Sequence, residues 1–195
     1  MRNFIAIAAA LLLLVACGNQ NTNQQTKEEK TIPQREGITF GELQTGETNE
    51  FGETEDGTIT YTTTDGFTDT LTVNLPYPMN NDVMELTGVG EIEEADINFD
   101  GIKDLQIHVG NFNAAGNAIY EGYVWDKEKG VFVNIPEYFN IYDPEINEEE
   151  KSITGALREW LDEKEHISFE KYQWVNGELT KVDEWEETFG FDDAE

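Results

Sequence analysis

The sequence predicts an all-β domain of sandwich, barrel or propeller type, and three observations carry that prediction. Short runs rich in aromatic and β-branched residues recur at regular spacing, as half-buried strands require. Turn-forming residues separate them, and no alternation of strand and helix signals points to a parallel sheet.

Taken in order, strands are predicted over 58–63, 70–74, 105–109, 118–126, 131–134, 153–160, 167–175 and 178–185. Tyr120, Tyr123, Trp125, Phe132, Tyr172 and Trp174 supply the aromatic bias, and Trp125, Tyr172 and Trp174 are read as core residues. Asp126-Lys-Glu-Lys-Gly130 separates two of the runs. Asn176-Gly177 is a strong two-residue hairpin signal, because both residues tolerate the positive φ that such a turn needs. The one helical candidate is 152–164, where Ile153, Leu157, Trp160 and Leu161 fall at helical spacing. Ile153, Gly155, Leu157 and Glu159 equally fit one face of a strand, and Gly155 costs a helix about 1 kcal/mol relative to alanine. The start of this segment is therefore read as strand.

The N-terminus has a different character. Arg2 precedes an apolar run from Phe4 to Ala16, the n-region and h-region of a secretory signal. The run is shorter than the roughly 20 apolar residues a spanning helix needs. Leu14-Val15-Ala16-Cys17 is a lipobox, and Cys17, the single cysteine, is the expected site of lipidation. Several acyl chains at about 0.8 kcal/mol per buried CH2 make such an anchor permanent, so the expected membrane contact is lipid. Residues 1–16 are thus read as a lipoprotein signal peptide. Residues 17–36, rich in Asn, Gln, Thr, Lys and Glu, are read as a lipidated flexible tether, and 37–195 as the folded domain. Gly18 and Asn19 follow the cysteine in place of an inner-membrane-retaining Asp. An outer-membrane, periplasm-facing location is the first expectation, with surface display as the alternative.

The formal net charge is −29, and removal of residues 1–16 takes away Arg2 alone, leaving about −30. Such a charge repels nucleic acid and anionic headgroups, and it raises the encounter rate with cationic proteins and divalent metals.

One constellation carries chemistry. In Asp96-Ile-Asn-Phe-Asp-Gly-Ile-Lys-Asp104, oxygen side chains stand at relative positions 1, 3, 5 and 9 with glycine at 6. Alternate side chains of a curled loop converge on one point, the glycine permits the sharp turn, and the carbonyl of Ile102 adds a further oxygen. Calcium is the expected ion, held by Asp96, Asn98, Asp100, Ile102 and Asp104, because slack oxygen geometry suits it better than magnesium. An EF-hand would place Glu at position 12; Ile107 stands there, so this is not an EF-hand. An ordinary Asp/Asn/Gly turn without metal is the alternative.

The loop running directly into Leu105-Gln-Ile107 resembles that of integrin-type FG-GAP propeller repeats. With Tyr120-Glu-Gly-Tyr-Val-Trp-Asp126, Gly130-Val-Phe132, Tyr142-Asp-Pro144, Ser152-Ile153 and Tyr172-Gln-Trp-Val-Asn-Gly-Glu-Leu179, the order of features resembles a family of bacterial FG-GAP-like, calcium-binding lipoproteins. That family includes immunity proteins guarding type IV secretion toxins and periplasmic lysozyme inhibitors. The resemblance covers about half the chain. It implies a propeller-like β fold, calcium on the 96–104 loop, and a surface that plugs the groove of a basic peptidoglycan hydrolase. The Ser-Gly-x-x-Tyr segment carried by several lysozyme-inhibitor families does not occur in the sequence.

Two functional readings follow: an accessory or structural envelope lipoprotein, and an inhibitor or immunity protein of a peptidoglycan hydrolase of the lysozyme type. A carboxylate glycan hydrolase is a third, but nothing singles out a catalytic pair among 41 acidic residues. There is no Gly-x-Ser-x-Gly elbow, Gly-rich phosphate loop or nucleophilic cysteine, and His108 and His166 lack ligand spacing. The protein is therefore not expected to be an enzyme.

Overall fold

A computed structural model describes residues 32–46, 56–75, 88–112 and 114–190. The signal sequence, Cys17 and residues 18–31 lie outside the described residues. All eight predicted strands form, within three four-stranded antiparallel sheets. Sheet I holds β1 (Thr39–Phe40), β2 (Gln44–Thr45), β3 (Asp56–Thr62) and β4 (Thr68–Asn74). Sheet II is the meander β5 (Ile92–Ala95), β6 (Asp104–Phe112), β7 (Asn117–Asp126) and β8 (Val131–Ile135). Sheet III is the meander β9 (Glu145–Asn147), β10 (Ser152–Leu161), β11 (Lys164–Val175) and β12 (Glu178–Gly190). A 3₁₀ turn, Pro136–Asn140, links sheets II and III. The arrangement is sandwich-like, and the described residues show no ring of blades.

The alternation of each strand decides what covers it. In β3 and β4, Ile59, Tyr61, Leu71 and Val73 are buried while the intervening residues are solvated, the pattern of a sheet with one wet face. β6 is buried on both faces over Asp104–Gly110, so sheet II is a middle layer. Its Leu105, Ile107, Val109, Ile119, Tyr123 and Trp125 meet sheet I in the larger core. There Phe132 stands edge-on to both Tyr61, at 5.1 Å, and Trp125, at 4.9 Å. A second core joins Ile97, Ile135, Tyr138 and Ile141 to Ile153 and Leu179 of sheet III. Tyr138 lies so close to Gly122 that a Cβ there would stand 2.6 Å from its ring. Only glycine fits at that crossing.

The ambiguous segment 152–164 is strand and turn. Ile153 pairs with Tyr172 and the register runs unbroken to Leu161 opposite Lys164. Asp162 and Glu163 close this hairpin with φ of 52° and 60°, and Asn176-Gly177 closes the next with 53° and 86°. Both turns need positive φ at two central residues, but only the second advertises it.

The tether boundary moves. The sequence places 32–36 in the tether, whereas here Pro33 is buried and lies against Gly130. Arg35 donates from Nε to the Lys103 carbonyl at 2.5 Å and from Nη2 to Glu94 at 2.5 Å, with its guanidinium 5.1 Å from the centre of the Phe132 ring. The folded unit begins at Ile32.

Sheets II and III are joined by a side chain acting as backbone. Buried Asn117 accepts from the Arg158 N–H at 2.7 Å and donates Nδ2 to the Arg158 carbonyl at 2.9 Å. Arg158 completes the junction with a 2.6 Å ion pair to Asp143. Asn117→Ala strands both backbone groups, and unfolding in urea is expected to show a loss of about 2–3 kcal/mol with unchanged m-value. A loss under about 0.5 kcal/mol would mean that the junction is held by packing alone.

Candidate metal loop

The predicted ion loop connects β5 to β6, whose ends pair at Ala95 and Asp104. Its apolar residues fasten it to the domain. Ile97 is fully buried, Phe99 packs on the second core and Ile102 on the first. The residues that alternate with Ile97 and Phe99, namely Asp96, Asn98 and Asp100, turn their oxygens onto the loop itself. Asp96 accepts from the N–H of Asp100 at 3.0 Å through Oδ1 and of Gly101 at 2.8 Å through Oδ2. Asn98 Oδ1 accepts from the Asp100 N–H at 3.0 Å, and Asp100 Oδ1 from the Ile102 N–H at 3.0 Å. Phe99 and Gly101 take φ of 60° and 87°, the left-handed conformations that curl the chain. Glycine meets that demand at no steric cost.

Asp104 sits at the base, wholly buried. Its Oδ2 accepts from the N–H of Ile97 at 3.0 Å and of Asn98 at 3.2 Å, and its Oδ1 from that of Trp125 at 2.8 Å. Burial pushes its pKa up to about 6, outweighing the three N–H bonds that oppose the rise, and Asp100 adds to it. From the sheet III side, Trp174 donates its indole N–H to the Ile97 carbonyl at 2.8 Å. Lys127 Nζ stands 3.6 Å from Asp100 Oδ2 at the loop mouth.

The donor set, three carboxylates, one amide oxygen and the Ile102 carbonyl, is that of a hard cation. Each carboxylate has about four acceptor positions, and the loop's own N–H groups use only some of them. As placed, no three His, Cys, Asp or Glu side chains among the described residues stand close enough to share a metal. The loop is closed by its own hydrogen bonds.

The two histidines are not brought together. His108 is buried in β6, its ring 5.2 Å from that of Tyr120 and its Nε2 3.4 Å from Asn111 Oδ1, whereas His166 lies in β11 with Nδ1 3.1 Å from Thr188 Oγ1. Trp125 is a core residue as expected; Tyr172 and Trp174 pack against the second core with their polar ends bonded. Three buried or nearly buried polar residues carry structure that the spacing does not reveal: Arg35, Asn117 and Glu121. The Glu121 carboxylate accepts from the Asn74 backbone at 3.2 Å, its side chain at 2.5 Å, and the Tyr123 hydroxyl. No helix among the described residues is long and apolar enough to cross a membrane.

No protein-family model and no curated protein sequence matches the chain. Among solved structures it is similar to a Xanthomonas type IV secretion system related protein. The identity is 12%, with 74% of this chain and 99% of that one covered and a TM-score of 0.30. A similarity at that score defines neither fold nor function.

Asp104 is the member of the set on which the loop depends mechanically. Asp104→Asn removes one acceptor and turns an N–H2 group towards backbone N–H donors. Chemical denaturation is expected to show a loss of about 2–3 kcal/mol. Asp96→Asn, at a half-buried site, should cost under about 1 kcal/mol; equal losses at both positions would contradict the burial argument.

Proposed function

We propose that the protein is a lipid-anchored accessory or structural lipoprotein of the cell envelope, attached through Cys17, whose β domain binds one calcium ion on the 96–104 loop. The observation that supports the metal most directly is the alternation within the loop. Ile97, Phe99 and Ile102 are held by the two cores while Asp96, Asn98 and Asp100 all turn inward around Gly101. Asp96, Asn98, Asp100, Asp104 and the Ile102 carbonyl would hold the ion, whose double charge would offset the crowding of three carboxylates. The role assigned to it is structural. It ties the β5–β6 connection to Trp125 and Trp174, and thereby sheet II to sheet III.

A second reading, an inhibitor or immunity protein acting on a basic peptidoglycan hydrolase, is favoured by the charge of −29. A polyanionic domain displayed at the envelope meets cationic enzymes quickly. Suppression of cell-wall lysis at near-stoichiometric ratio would distinguish it from the structural role.

Thermal unfolding of the full chain in detergent is expected to shift upward from chelator to millimolar calcium. Stabilisation is about 1.4 kcal/mol at ten times Kd, and Asp100→Ala abolishes the shift. A melt unchanged by calcium would sink the metal assignment. For the anchor, Cys17→Ser is expected to leave the protein without incorporated palmitate and release it from the membrane fraction; a labelled variant would refute lipidation at Cys17.

A further inference from the structure

Sheet III reaches beyond both cores, and its far part presents two different faces. The strand register sorts them. Ile153 and Gly155 belong to the inner face, where a Cβ on Gly155 would stand 2.7 Å from Ile141. The opposite face carries three successive cross-strand rows: Ala156–Phe169–Trp185, Arg158–Ile167–Glu187 and Trp160–Glu165–Phe189. Phe169 and Trp185 stack at 4.9 Å with their planes 10° apart. Trp160, Trp185 and Phe189 are 56%, 39% and 42% exposed. Scattered exposed apolar residues are ordinary, but a contiguous aromatic face on one sheet marks an interaction surface.

Charge decides what covers it. Glu165 and Glu187 lie among the rings, and neither has an ion-pair partner among the described residues. Of the bases of this sheet, Arg158 pairs with Asp143, Lys171 with Glu150 and Lys181 with Glu170 and Glu184, while Lys164, opposite Leu161, alternates onto the other face from Glu165. The face is therefore a chequer of indole and phenyl rings with uncompensated carboxylates. A guanidinium or ammonium group gains from both, through cation–π contact and charge pairing. A second copy of this chain fits badly. β12 is the sheet edge, and pairing along it would oppose Asp183, Glu184, Glu186 and Glu187 to one another. Anionic surfaces are repelled, and a neutral glycan would stack on the rings while leaving the carboxylates unused.

We infer that the outer face of sheet III, centred on Trp160, Phe169, Trp185 and Phe189, is a docking surface for a cationic polypeptide segment. The inference is independent of the calcium loop, which lies on the β5–β6 connection, and of the identity of any hydrolase.

The chain has four tryptophans, so the indole N–H resonances of the full chain in detergent give a site-resolved readout. The probe is a ten-residue arginine-rich peptide, with chitohexaose and a glutamate-rich peptide alongside. The arginine peptide is expected to move the signals of Trp160 and Trp185 and leave those of Trp125 and Trp174 in place. Trp185→Ala and the shape-conserving Glu165→Gln/Glu187→Gln double variant should each weaken binding by about fivefold or more. Glu148→Gln/Glu149→Gln, which removes the same charge from the β9–β10 turn, should change it less than about twofold. Equal weakening in that control means diffuse charge attraction and overturns the inference. So does movement of the two signals by chitohexaose but not by the arginine peptide, which assigns a glycan, or by concentration of the protein alone, which assigns a second copy.

Discussion

A single buried carboxylate organises the centre of this domain. Asp104 has no contact with water, yet it stays bonded on both oxygens: to the entry of its own loop through Ile97 and Asn98, and to the neighbouring strand through Trp125. A carboxylate in that position is costly unless it is hydrogen-bonded, and here its three N–H partners close the loop. Because Ile97 is pinned in this way, its carbonyl is presented to the Trp174 indole, and sheet III gains its foothold on sheet II. Loop, middle sheet and outer sheet thus share one fastening.

The middle sheet shows the same economy elsewhere. Buried Gln106 accepts from the Tyr138 hydroxyl and donates to Glu93, Glu121 gathers Asn74 and Tyr123, and Asn117 substitutes for a strand where β7 meets β10. A layer covered on both faces could be built entirely of apolar side chains. Placing satisfied polar groups within it penalises every register in which they would lose their partners, which suits a chain whose strands otherwise resemble one another.

The strands were legible because alternation, aromatic bias and Asn176-Gly177 all report local conformation. The four further strands span only two to four residues each, too short for a period to show. The hairpin at Asp162-Glu163 was hidden because its left-handed residues are not glycine or asparagine, and that silence left a helix in contention for the segment. The oxygens of the 96–104 loop were legible as a spacing, but their engagement with the loop's own N–H groups was not, since that depends on the curl. Arg35 belongs to the fold through partners 59 and 68 positions away, and no local pattern encodes them. Trp160 and Trp185 look like Trp125 in sequence. Only the register of sheet III shows that they lie on its outer face.

The seating of Arg35 has a mechanical consequence. The described chain enters the domain at Ile32, and the first groups to grip it are Pro33 against Gly130 and Arg35 on Glu94 and the Lys103 carbonyl. A pull applied to the chain ahead of Ile32 would therefore be felt first at Glu94, on β5, and at Lys103, at the end of the 96–104 loop.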